Sequence, residues 1–324
     1  MLCPNCESQT RRFGRNRNGS QRYRCDACEV TFTDGATRPV DRRFVEEPRM
    51  TMCLRMLLEG TSIRTTERLT GTHRDTILAA MVAAGEKCGR FLEATIRDVP
   101  VDDVQVDEIW SFIICKERTR ERLNHGQDHG DCYTFTGVER TTKLMLAWHA
   151  GKRSAADART FCGKLNHAIS GRFQLTTDGY GAYLTAVPGS FPSGVDYATL
   201  VKVYGSPSEE DRRRYSPGQV IDIIATQQIG NPDPARICTS HVERANLTMR
   251  MGIRRFTRLT NAFSKKWENH EAALALFFGF YNFCRPHQTL TEYMGYKCTP
   301  AMRAGLTNHV WTVPELLARA GEIG

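Results

Sequence analysis

Three carboxylates far apart in the chain, Asp107, Asp178 and Glu243, each occupy a position from which a side chain can be aimed at a common point. Asp107 lies in "DVQVDEIWSFII", which alternates and is rich in β-branched and aromatic residues, the pattern of a strand. Parity along that strand sets Asp107 on one face with Gln105, Ile109 and Ser111, and Glu108 on the other with Val106 and Trp110. Only one of the two adjacent acids therefore faces a shared site, and Asp107 is expected to be that one. Asp178 closes the strand in "RFQLTTDGYGAY", where a glycine turn leaves its carboxylate at the open end. Glu243 is the single acid of "TSHVERANLTMRMGIRRFTRLTNAFSKKW", ahead of Arg244, Arg250, Arg254, Arg255, Arg258, Lys265 and Lys266. Taken one at a time, these are a strand-edge charge, a turn former and a first-turn acid favoured by the helix dipole. Taken together, they are candidate ligands for Mg²⁺ or Mn²⁺. Such hard cations take a few carboxylates and keep positions for water and phosphate, and two of them in one site activate an attacking oxygen and stabilise a leaving one.

The elements that must hold these acids follow a definite order. "DVQVDEIWSFII", "CYTFTGVE" and "KLMLAWHA" form an antiparallel meander, and "SAADARTFCGKLNHAI" is an amphipathic helix with Ser154 as its cap. The short strand ending at Asp178, a further strand "ATLVKVYG" and the basic helix complete the set. This is the order of an RNase H-like α/β core over residues 99–290, a mixed five-stranded sheet with helices, and it brings the three acids to one edge of the sheet. Along a continuous helix, Glu243, Arg250 and Arg254 recur at near-whole turns and share a stripe. One face then presents a metal ligand followed by phosphate-binding arginines, with Arg255 and Arg258 beside them, and a nucleic-acid backbone supplies the missing anions. No role is legible for residues 205–238 beyond a basic hairpin touching DNA.

A second constellation is Cys3, Cys6, Cys25 and Cys28, in the spacing C-x2-C-x18-C-x2-C. Two knuckles of this kind present four thiolates to a structural Zn²⁺ with no open position, and the intervening "ESQTRRFGRNRNGSQRYR" is too polar to build a core unaided. The alternatives are redox chemistry or coincidence. A zinc ribbon over residues 1–36 would carry Arg11, Arg12, Arg15, Arg17, Arg22 and Arg24, with Phe13 and Tyr23 interleaved, a composition suited to phosphate contact and base stacking. Within residues 37–98, "MTMCLRMLLEG", "TSIRTTERLTG" and "THRDTILAAMVAAGEKCGRF" read as three helices broken at Gly60 and Gly71 and capped by Thr61 and Thr72. That is the outline of a helix-turn-helix, in which His73 and Arg74 open the recognition helix.

Composition narrows the class. The chain has 324 residues, a net charge of +8 and 40% hydrophobic residues, which describes a soluble globular protein leaning toward a polyanionic partner. No charged segment followed by an apolar run opens the sequence, and "AALALFFGFYNFC" is too short to span a bilayer. The other eight cysteines are scattered singly among apolar neighbours, as reduced thiols of a cytosolic protein would be.

"VDEIWSF", "TTDGYGAY" and "SHVERANLTMRMGIRRFTRLTNAFSKK" resemble the three catalytic blocks of DDE-type insertion-sequence transposases, in the group named after insertion sequence one. "YNFCRPHQTL" and "TPAMRAGLTNHVW" are similar to that group's C-terminal signature, although "TEYMGYKC" between them is longer than usual. An N-terminal zinc ribbon and helix-turn-helix also fit, so the resemblance covers nearly the whole chain, leaving a C-terminal tail at 291–324. It implies that Asp107, Asp178 and Glu243 carry the divalent metals and that the N-terminal modules recognise terminal inverted repeats. Water would nick DNA there, and the freed 3′-hydroxyl would attack target DNA. Joining two ends implies at least a homodimer, working on the bacterial nucleoid. His241 and Arg244 would sit where phosphate or water is positioned, whereas Asn282, Arg285 and His287 read as capping and packing residues around Pro286. The rival readings are an RNase H-like nuclease that only hydrolyses and a zinc-ribbon DNA-binding repressor.

Overall fold

A computed structural model of the chain describes residues 1–16, 21–33, 45–192, 194–207, 218–257 and 260–323. Short alternating stretches at the N-terminus form an antiparallel sheet of β1 (Thr10–Arg15), β2 (Gln21–Cys25) and β3 (Thr31–Thr33), in that order. Three helices follow: α1 (Glu47–Leu58), α2 (Ile63–Thr70) and α3 (Arg74–Thr95). Their caps lie one residue later than the threonines suggested. Ser62, in extended backbone, accepts the Thr65 amide at 3.1 Å, and His73 Nδ1 accepts that of Asp75 at 3.3 Å. Thr72 is instead buried beneath the turn, which Gly71 makes in the left-handed conformation (φ +66°).

β4 (Val99–Pro100) pairs only with β8 (Ile169–Ser170). The main sheet contains β5 (Asp103–Ile113), β6 (Gly130–Glu139), β7 (Met145–Gly151), β9 (Phe173–Thr177), β10 (Val195–Tyr204) and β11 (Val220–Ile229). Its spatial order is β11–β10–β9–β5–β6–β7. β5–β6–β7 is the antiparallel meander, and β9 runs parallel to both β5 and β10. The five strands expected from sequence are joined by a sixth, β11, antiparallel to β10 and drawn from the segment that had no legible role. β11 is exposed along almost its whole length, Ile221, Ile223 and Ile224 included. With neither face buried it has no apolar alternation to betray it. Helices α4 (Glu117–Leu123), α5 (Ala155–Ala168) and α6 (Tyr183–Ser190) fill the connections. α5 begins with the expected Ser154, whose hydroxyl and the Asp157 carboxylate form a reciprocal capping box.

The long basic helix is shorter than its composition suggested. α7 (Ser240–Gly252) stops, a 3-10 turn spans Arg254–Phe256, and helix resumes only at α8 (Trp267–Gly279). The reason is packing. A Cβ at Gly252 would lie 2.5 Å from the Phe277 ring, and one at Gly60 would lie 2.4 Å from the Met251 carbonyl oxygen. The end of α7 is thus pressed between the α1–α2 connection and α8, and the chain turns extended at Ile253. The stripe from Glu243 therefore ends at Arg250, and Arg254 belongs to a separate turn.

α8 is almost wholly buried and runs into a π-turn, Phe280–Cys284, followed by α9 (Gln288–Met294), α10 (Pro300–Arg303) and α11 (Val313–Glu322). In the π-turn Asn282 is fully buried, its amide exchanging hydrogen bonds of 3.0 Å with both backbone groups of Met145 on β7, which is a packing role. α3 lies against α8 and α11, so one hydrophobic core runs from the N-terminal helices into the sheet and the C-terminal helices. The closest approach is at Gly85, where a Cβ would stand 2.1 Å from the Ala272 carbonyl oxygen. Gly→Ala in an exposed helix interior stabilises by about 0.8–1 kcal/mol. Gly85→Ala is expected to do the reverse, costing about 1–3 kcal/mol by overpacking, read from urea unfolding. A stabilised variant would mean that α3 and α8 are not in contact. No helix among the described residues is long and apolar enough to cross a membrane.

Candidate functional site

The sheet fixes α7 over β5 at two points. Gln105 Oε1 accepts the first-turn amides of His241 and Val242, at 2.9 and 3.3 Å, supplying the cap that α7 lacks from its own N-cap residue, Thr239. One turn further on, Asn246 Nδ2 donates to Asp107 Oδ2 at 2.9 Å. Asn246 is oriented by the buried Thr136 hydroxyl, which donates to its carbonyl oxygen at 3.1 Å. Glu243 lies on α7 between these clamps. Residues 105, 107 and 111 share the face turned toward α7 and α8, since Ser111 reaches His270 at 3.4 Å, as parity required.

Parallel pairing of β5 with β9 matches Val106 to Thr177, and one more residue in that register sets Asp178 beside Asp107. Asp178 Oδ1 accepts the Tyr180 amide at 2.9 Å, the turn "TDGY" holding its own carboxylate. On the opposite face, Glu108 accepts the Tyr183 hydroxyl and pairs with Arg153 at 3.1 Å. Arg153 also stands 3.8 Å from Asp178, with its guanidinium 4.4 Å from the centre of the Tyr180 ring. Glu243 is held by Lys202 of β10 and by the Thr239 hydroxyl at 2.6 Å. Arg153, Lys202, Thr136 and Asn246 are the site residues that sequence reasoning missed. Asn246 alone left a signal, three residues from Glu243 and hence on the same helical face.

The charges decide what such a place can hold. Among the described residues no lysine or arginine pairs with Asp107. Burial and the neighbouring Asp178 push its carboxyl up to about 6, with Glu243 adding to the repulsion. Glu108 is pushed up to about 7, again by burial and Asp178, despite Arg153. Removing these penalties takes a cation beside Asp107. The donor set is all carboxylate oxygen, which suits magnesium or manganese over zinc. The three acids are not drawn into a closed cage. Among the described residues, the four cysteines are the group of three or more potential ligands whose atoms all lie within 4.8 Å of one another. An ion that keeps several waters and takes one or two carboxylates fits that open spacing. On the other side of α7, His241 Nδ1 lies 3.1 Å from Lys143 Nζ, and burial together with that lysine pulls its imidazole down to about 4.

Cys3 and Cys28 place their sulfurs 3.5 Å apart, as do Cys6 and Cys25. A disulfide needs about 2.05 Å, whereas four sulfurs about 2.3 Å from one zinc stand roughly 3.8 Å from each other. Each knuckle turns through a left-handed residue directly after its second cysteine, Glu7 (φ 56°) and Glu29 (φ 59°). This repeated geometry can hold zinc. The other eight cysteines are free, six of them buried.

The expected phosphate-contacting residues are dispersed. Arg22 and Arg24 lean on the Phe13 ring from 5.6 and 5.5 Å, and Arg15 lies in β1. His73 and Arg74 are exposed at the start of α3, each within 4.0 Å of Asp75. Arg250 is half-buried on α7 and Arg254 exposed. Arg255, expected on the outer face, turns inward because the 3-10 turn replaces helix. It donates to Ser264 Oγ at 3.3 Å and to the Asn269 carbonyl at 3.2 Å. Arg17 and Arg258 lie outside the described residues.

No protein-family model matches the chain, and no curated protein matches it. Among solved structures it is similar to the piggyBac transposase synaptic complex with hairpin DNA, at 8% identity and a TM-score of 0.34, across 89% of this chain and 75% of the other.

Proposed function

We propose that this protein is a DDE-type transposase of the insertion-sequence-one group. In this reading an RNase H-like core carries the chemistry, and a zinc ribbon and helix-turn-helix recognise terminal inverted repeats. The observation that carries it is Asp107, a half-buried acid set beside Asp178 and near Glu243, to which no lysine or arginine pairs among the described residues. Those three would hold the divalent metals, which when bound supply Lewis-acid activation of water or of a 3′-hydroxyl and stabilise the departing oxygen. Gln105 and Asn246 keep Glu243 and Asp107 in register, so the ligands are set before DNA arrives. Arg153 and Lys202, which neutralise Asp178 and Glu243, stand where a phosphodiester would need cations once metal takes over the acids. Two protomers would act together, one for each end.

Strand transfer with labelled ends of the DNA that flanks the reading frame, in Mg²⁺ or Mn²⁺, tests this. Joined products support the reading. Nicks without joining leave a nuclease, and binding with neither leaves a repressor.

A further inference from the structure

Where α1, α2 and α3 meet the core there is a cleft of about 900 Å³. The first turns of α2 and α3 bound one side, and the 3-10 turn after α7 with the irregular residues 260–265 bounds the other. Among the described residues five cations line it, Arg64, Arg74, Arg254, Arg255 and Lys265, against a single carboxylate, Asp75. Asp75 is already shared between Arg74 at 4.0 Å and His73 at 3.6 Å. Among the described residues no acid lies within ion-pair distance of Arg64, Arg254, Arg255 or Lys265. Arg255 is the most exacting of these. Among the described residues its half-buried guanidinium meets only neutral acceptors: Ser264 Oγ, the Asn269 carbonyl and, at 3.5 Å, the Met81 sulfur of α3. Burial pulls its pKa down to about 10. A partly desolvated charge without a counter-charge is expensive, and an anion bound beside it would relieve that cost.

We infer that this cleft binds the sugar-phosphate backbone of DNA, gripping one strand between the helical module and the core. The inference rests on the transposase reading and deepens it. Recognition by α3 and retention by the core become one binding event, because Arg74 and Arg255 line the same cleft and Arg255 touches α3 through Met81.

Arg255→Met keeps the volume and removes the charge. Binding of the full-length protein to a fluorescent duplex from the flanking DNA is measured in magnesium-free buffer over a salt series. Arg255→Met should weaken binding about tenfold and flatten the slope of log affinity against log salt by about one, the mark of one lost phosphate contact. Its melting temperature should change little, since losing the uncompensated charge offsets losing the donor to Ser264 Oγ and the Asn269 carbonyl. Arg64→Ala, on the exposed surface of α2, should flatten the slope equally without moving the melting temperature. Unchanged slopes in both variants would overturn the inference. So would an Arg255→Met protein that melts lower and binds normally, which would make Arg255 a purely structural donor. Sodium pyrophosphate is the control for a small anion. If it stabilises wild type but not Arg255→Met while duplex slopes stay equal, the cleft takes free phosphates and not a strand. Strand transfer is scored separately. Variants that bind and join like wild type sink the cleft alone, whereas wild type that shows these slopes but never joins ends sinks the transposase reading alone.

Discussion

Asp107→Asn is expected to remove cleavage and joining together, by at least about a thousandfold, on the order of 4 kcal/mol in the barrier, while DNA affinity stays within about twofold. The substitution is nearly isosteric and keeps an oxygen for the Glu108 amide, which now reaches Asp107 Oδ1 at 2.9 Å, but it sets an amide NH2 against Asn246 Nδ2 and so gives up the hydrogen bond that Oδ2 accepts. It withdraws the negative charge that a hard cation needs. Stability should not fall with activity. A carboxyl raised from its ordinary 3.8 to about 6 in the folded state binds its proton more tightly there than in the unfolded chain. Stability therefore declines as pH rises between those values and stays lowered above about 6. At pH 7.5 the Asn protein is free of that penalty, about 3 kcal/mol for such a shift, but loses the Asn246 hydrogen bond, about 1.5–3 kcal/mol, so it should melt at or slightly above the wild-type temperature. Loss of activity without a fall in melting temperature separates a functional acid from a structural one. Glu108→Gln, on the other face of β5, should retain measurable cleavage. If Asp107→Asn still cuts while Glu108→Gln does not, the first ligand is Glu108.

How much of this could be read in advance depended on whether local physics or distant packing set each feature. Strand parity placed Asp107 and Glu108 on opposite faces, because the two-residue period of β5 holds regardless of what covers it. The cap at Ser154 and the turn at Asp178 were equally local. The end of α7 was not. It is set by Phe277 and the α1–α2 connection closing on Gly252, a contact between residues far apart in sequence, and it carried Arg254 off the stripe that helical spacing predicted and turned Arg255 inward. β11 escaped notice because an edge strand exposed on both faces has no pattern of burial to imprint on its sequence. Arg153 and Lys202 lie 25 and 41 residues from the acids they neutralise, counted against Asp178 and Glu243, and ion pairs at such separations leave no spacing to read.

Removal of zinc should unfold the N-terminal ribbon and leave the rest of the protein intact. Among the described residues of 1–33 the buried hydrophobic side chains are Cys3 and Cys25 themselves, while β1 shows its arginines to solvent and Arg22 and Arg24 of β2 are only half-buried. Beside them, Tyr23 stacks on Phe32 with ring centres 5.9 Å apart. A three-stranded sheet with so little to bury cannot offset its ordering entropy, which is about 1–2 kcal/mol per residue for the backbone alone. Coordination by four thiolates supplies an apparent 10–16 kcal/mol or so, enough to reverse the balance. Purified protein should therefore carry one zinc per chain. Chelation, or Cys25→Ser, should abolish amide-exchange protection across β1–β3 without lowering the melting temperature of the core. In magnesium-free gel shifts, where the loss of zinc cannot be confused with loss of a catalytic ion, affinity for the flanking DNA should fall at least about tenfold as the arginines on β1 and β2 lose their fixed positions. Protection that survives chelation would show that Cys3, Cys6, Cys25 and Cys28 do not depend on a metal to hold the ribbon together.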